Sequence, residues 1–107
     1  LPVVIPSQLD DTYSGLHLYV IRLKLDYILR SHKEVFEGLR EYDIGVNVHY
    51  IPVHLQPYYA AMGFKKGDFP ESEKYYSEAI SLPMYSALSE KDQDKVVEVL
   101  RSLVSPK

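Results

Sequence analysis

"HLYVIRLKLDYILRSHKEVFEGLREY", residues 17–42, decides the fold class. Its first part, His17–Leu25, has the two-residue period of a strand: Tyr19, Ile21, Leu23 and Leu25 fall on one face, Arg22 and Lys24 on the other. Leu18 and Val20 make the first half apolar on both sides, which predicts a strand buried at its start and exposed at its end. Ser31 and Glu34 then form an S-x-x-E capping box, in which each side chain satisfies a backbone amide left open at a helix start. Val35, Phe36, Leu39 and Tyr42 recur at helical spacing, and Gly45 is placed to end the helix region. A strand feeding a one-faced helix calls for mixed α and β structure.

Upstream, residues 1–16 read as an irregular lead-in, with Pro2, Pro6 and the turn formers of "SQLDDTYSG". Downstream, Val46–Ile51 reads as a second strand with Val46, Val48 and Tyr50 facing inward, after which Pro52 and Pro57 exclude a central strand. Beyond the loop "GFKKGDF", Asp68 as cap, Pro70 in the first turn and Glu71 at the capping-box position open another helix, with Tyr75, Tyr76, Ala79 and Ile80 as its apolar face. "ISLPMY" is a short extended piece halted by Pro83. Ser89 and Asp92 cap a last helix striped by Val96, Val97, Leu100, Leu103 and Val104. The sum is an α/β (α+β) two-layer sandwich, a small three-stranded sheet with three helices, strand directions open.

The 107 residues suit one domain, and 46% hydrophobic with 25% charged residues is an ordinary globular composition. A net charge of −3 argues against nucleic acid, whose phosphates require a basic face. No apolar run approaches the ~20 residues that span a bilayer, and "LPVVIP" lacks the basic n-region of a signal peptide. The absence of cysteine removes disulfides and thiolate metal sites and fits a reducing, cytoplasmic setting. Opening on Leu1 with an apolar run suggests a piece of a longer polypeptide. The ten tyrosines suit either a core that reaches its own surface or an interface.

The stretch "NVHYIPVHLQPYY", Asn47–Tyr59, gathers two histidines and three tyrosines around two prolines. A zinc site there would need ligands recruited from afar, since the paired spacing of a helical metal motif is absent. A nucleophile elbow and a glycine-rich phosphate cradle are absent too, and none of the eight lysines is marked as desolvated. His49 and His54 flank a proline-bent turn, where an imidazole is free of helix or strand constraints, so a sugar-binding loop is a second candidate. A strand edge with hydrogen-bonded loop histidines, and Tyr50 as a core or domain-interface residue, is the alternative.

"HLYVIRL", "IGVNVHYIPVHLQPYY", "GFKKGDFPESEKYYSEAISLPMY" and "SEKDQDKVVEVL" together resemble the C-terminal small domain of the DegT/DnrJ/StrS-type nucleotide-sugar aminotransferases. The likeness is nearest to the transaminases of pseudaminic-acid and spore-coat polysaccharide synthesis. It runs from about residue 16 onward, so 1–16 becomes a lead-in from a missing large domain and 17–107 the small domain. The resemblance implies a pyridoxal-phosphate enzyme that moves an amino group from glutamate to a keto-sugar nucleotide. It places the Schiff-base lysine and the phosphate-binding residues in the large domain, so this chain alone would be inactive and hold no cofactor, with no catalytic or metal residue of its own. It further implies a large-domain partner and a homodimer, with His49, Tyr50 and His54 as substrate-side contacts. A free-standing small-molecule-binding or regulatory module is the competing expectation.

Overall fold

The structure, a computed structural model, describes all residues 1–107. Three strands, β1 (Val3–Val4), β2 (Tyr19–Leu23) and β3 (Ala79–Leu82), form an antiparallel sheet in the order β1-β2-β3. Around it run α1 (His32–Glu41), the single turn α2 (Pro57–Ala60), α3 (Pro70–Glu78) and α4 (Glu90–Leu103).

Register sorts the side chains. Val3 pairs with Leu23, Ile21 with Ile80 and Tyr19 with Leu82. Alternation sends this set toward α1 and α4, where Ile21, Leu23 and Ile80 join Val35, Leu39, Val96, Leu100, Leu103 and Val104 in one buried cluster. Each such side chain is worth ~1.5–3 kcal/mol on burial. The helices approach closely because Gly38 has no side chain: a Cβ there would lie 2.6 Å from a Leu103 methyl carbon. Arg22, Ala79 and Ser81 face the other way, and the Arg22 guanidinium pairs with Glu78 of α3 at 2.8 Å, beside the Tyr75 ring.

Both local caps form. Ser31 Oγ accepts from the Glu34 amide at 3.2 Å while the Ser31 amide donates to Glu34 Oε2 at 2.7 Å. Ser89 Oγ accepts from the Asp92 amide at 3.1 Å. The α1 terminus differs from expectation: Asp43, not Gly45, takes the left-handed conformation (φ 60°), and the Ile44 amide closes onto the Leu39 carbonyl at 3.1 Å.

Five sequence expectations about the strands and stripes are corrected. Val46–Ile51 is not a strand; it touches the sheet through a single bridge, Asn47 to Ser81. The third strand comes instead from the nominal lead-in, where the edge pair Val3–Val4 docks on β2 and the Pro2 carbonyl accepts from the Lys24 amide at 2.9 Å. Within β2 the gradient is reversed, Tyr19 being exposed and Leu23 buried, because β1 and the helices cover its end. Ala79 and Ile80 belong to β3 rather than to the preceding helix, and Val97 of α4 is exposed because the helix stripe facing the sheet is narrower than the sequence stripe.

Candidate functional site

The Asn47–Tyr59 stretch divides into two environments. The first hangs from the sheet edge. Asn47 exchanges both backbone hydrogen bonds with Ser81, at 3.3 and 2.7 Å, and two residues on His49 sets its Nδ1 2.8 Å from the Ser81 hydroxyl. Ser81 itself is buried and His49 half-buried. The next ring, Tyr50, is 71% exposed and meets the imidazole edge-on at 4.6 Å. His49 Nε2 makes no hydrogen bond within the chain, yet no buried side-chain nitrogen or oxygen lacks a partner, so Nε2 reaches solvent. This corner therefore presents a free imidazole nitrogen beside an exposed phenol.

The second environment begins at buried Pro52. Residues 53–55 form one 3-10 turn that turns His54 inward to 6% exposure. Its Nε2 lies 3.3 Å from Glu73 Oε2, and its ring packs edge-on against Phe69 at 4.8 Å. His54 is thus not an open loop imidazole but part of a packed cluster, and it shares no hydrogen-bond partner with His49. Val53, His54, Tyr59, Phe64, Phe69 and Ser72 line a hollow of about 370 Å³.

Glu73 organises that cluster. Both of its oxygens accept from the Gly67 amide at 2.9 Å, and Oε2 also accepts from the Phe69 amide at 3.3 Å. Gly67 adopts φ 97°, a conformation glycine supplies without Cβ strain, which keeps its amide in reach. Those amide bonds, the Gly67 one above all, hold the Glu73 carboxyl below the ordinary glutamate range, against the opposing effect of burial and with help from His54. The helix is opened by this carboxylate reaching back from inside its first turns. Asp68 and Glu71, expected as the cap, do not perform it: Phe69 is the N-cap residue without a side-chain bond, and Asp68 instead accepts from the Lys65 amide at 2.9 Å.

All eight lysines are exposed. No group of three or more His, Cys, Asp or Glu side chains is placed to hold a metal ion, and no helix is long and apolar enough to cross a membrane. A pyridoxal cofactor needs a lysine in a desolvated pocket and donors around a phosphate. The residues present do not fit it. Of the expected contacts, His49 and Tyr50 come together and His54 lies apart. Glu73 and Ser81 escape the sequence reading. For Glu73 the signal was a glutamate four residues past a Gly-Asp-Phe loop, and for Ser81 a small polar residue inside an apolar strand.

A sequence model of the DegT/DnrJ/EryC1/StrS aminotransferase family matches residues 2–101, and the chain belongs to that family. It is 38% identical over 95% of its length to the spore coat polysaccharide biosynthesis protein SpsC of Bacillus subtilis, covering 27% of that protein. It is 36% identical over 94% of its length to the dTDP-3-amino-3,4,6-trideoxy-alpha-D-glucose transaminase of Micromonospora megalomicea, covering 26% of it. Among solved structures, a Streptococcus pneumoniae protein in its PLP form superposes with a TM-score of 0.86 at 25% identity, over 96% of this chain and 26% of that one. The chain thus spans about a quarter of the length of these relatives.

Proposed function

We propose that this chain is the small C-terminal domain of a pyridoxal-phosphate-dependent aminotransferase that transfers an amino group from glutamate to a keto-sugar nucleotide, in the cytoplasm, for surface-polysaccharide or glycan synthesis. The relatives' names and their fourfold greater length support this reading. Cofactor binding and chemistry then belong to residues outside these 107, in a homodimer. Residues 1–16 lead in from the large domain, and 17–107 wall the cleft. His49 and Tyr50 are direct substrate contacts, and His54 serves from the wall of the neighbouring hollow.

The observation that carries the assignment to this face is His49, whose Nδ1 is held by Ser81 while Nε2 stays open to solvent beside Tyr50. Large apolar side chains exposed along 5–18, among them Leu9 and Tyr13 at 74% and 92%, accord with a surface covered in a longer protein. In the full-length enzyme His49→Ala should raise KM for the sugar nucleotide and leave cofactor absorbance intact. A lost hydrogen bond to a charged group, ~1.5–3 kcal/mol, lowers kcat/KM roughly ten- to a hundredfold. The 107-residue chain mixed with pyridoxal phosphate should keep no stoichiometric cofactor absorbance after dialysis. Retained absorbance would overturn the reading.

A further inference from the structure

We propose that Ser81 is a positioning residue for His49: its hydroxyl donates to Nδ1 and so commits the imidazole to presenting Nε2–H outward, as a hydrogen-bond donor to an acceptor oxygen of the bound substrate. This rests on the reading of His49 as a substrate contact and adds which group sets the polarity of that contact.

The argument is one of satisfying hydrogen bonds. Ser81 is 5% exposed, and its hydroxyl has one partner in the chain, His49 Nδ1 at 2.8 Å. The neighbours on that face of the sheet, Val20 across the ladder and Ala79 two residues back, offer no side-chain acceptor. A buried hydroxyl hydrogen needs an acceptor, and only Nδ1 is in reach. Were Nδ1–H the donor instead, the Ser81 hydrogen would be left with nothing to bond. A neutral ring whose Nδ1 accepts carries its proton on Nε2, the nitrogen that reaches solvent. Phosphate and sugar oxygens accept hydrogen bonds, so the outward N–H matches both parts of a nucleotide sugar. The serine backbone is occupied separately, by its exchange with Asn47, so the hydroxyl is free for this one task.

The test begins with the chain labelled with 15N at histidine. Long-range proton–nitrogen correlation at about pH 8.5, above the ordinary histidine range of about 6.5, should show His49 with Nδ1 unprotonated and Nε2 protonated. A protonated Nδ1 overturns the proposal, and this measurement needs no variant. Ser81→Ala, checked for folding through the amide signals of Ile21 and Ile80, should shift Nδ1 away from its bonded position. In the full-length enzyme Ser81→Ala should raise KM for the sugar nucleotide about three- to tenfold with kcat little changed, and Ser81→Thr should restore most of it. An unchanged KM for Ser81→Ala, with His49→Ala raising KM, overturns the role of Ser81. An unchanged KM for His49→Ala overturns the substrate reading instead, leaving the tautomer result to stand as a structural fact.

Discussion

The α1–α4 layer and the lobe from Val53 to Phe69 are held by opposite means. In the layer, Val35 and Leu39 of α1 and Ile80 of β3 lose all contact with water, and apolar burial does the holding. In the lobe, Val53, Tyr58, Phe64 and Phe69 all remain exposed, and the segments converge on one carboxylate, Glu73, through two amides and an imidazole. A packed layer spreads its stability over many side chains. A lobe tied to one acceptor opens when that acceptor is lost. The more exposed aromatic region is therefore the one that can rearrange around a ligand or a neighbouring domain.

Cutting into the layer should give the largest effect. Leu100 is 3% exposed at the centre of the α4 stripe, so Leu100→Ala should cost about 2–5 kcal/mol in urea unfolding. The whole molecule should lose stability together, lobe included. A loss under about 0.5 kcal/mol would mean that the layer is not the core.

Cutting the lobe should behave differently. Glu73→Gln keeps the shape but removes the charge that three donors share. Amide exchange at Gly67 and Phe69 should rise on the order of tenfold while that of Ile21 and Ile80 is unchanged, the mark of a local opening. Equal acceleration at all four sites would show that the lobe and the layer are one cooperative unit.

This same contrast separates what the sequence revealed from what it hid. The Ser31–Glu34 and Ser89–Asp92 caps were legible because donor and acceptor lie three residues apart, and so were the stripes of α1 and α4, apart from Tyr42 and Val97, which are exposed. Non-local pairings were not legible. Two residues, Val3–Val4, carry too little pattern to announce a strand, and their place depends on β2 lying ready twenty residues on. Val46–Ile51 has the pattern of a strand but only Asn47 finds a partner, on the free edge of β3. At the site, Tyr50 and His49 were legible as polar-tipped residues near a proline bend. The burial of His54 was not, because it depends on a carboxylate nineteen residues away.

Acid should sharpen the contrast further, with the smallest effect. Glu34 and Glu73 both sit below the ordinary glutamate range, each chiefly through a backbone amide, Ser31 for one and Gly67 for the other. A folded value below the unfolded one, roughly 4.3, means that the stabilisation is present above that pH and is lost as the pH falls through the lower folded value. The consequences of losing the two carboxylates differ. Protonating Glu34 loosens the start of α1, but Val35 and Leu39 still anchor that helix in the core. Protonating Glu73 releases the Gly67 and Phe69 amides, and α3 has no buried residue to hold the lobe in their place. As the pH falls below the ordinary glutamate range, exchange at Gly67 and Phe69, corrected for the intrinsic rate, should therefore rise before exchange at Ile21 and Ile80 does. If all four amides lost protection at a single pH, the lobe would owe its order to packing rather than to Glu73, and the distinction between the two regions would fail.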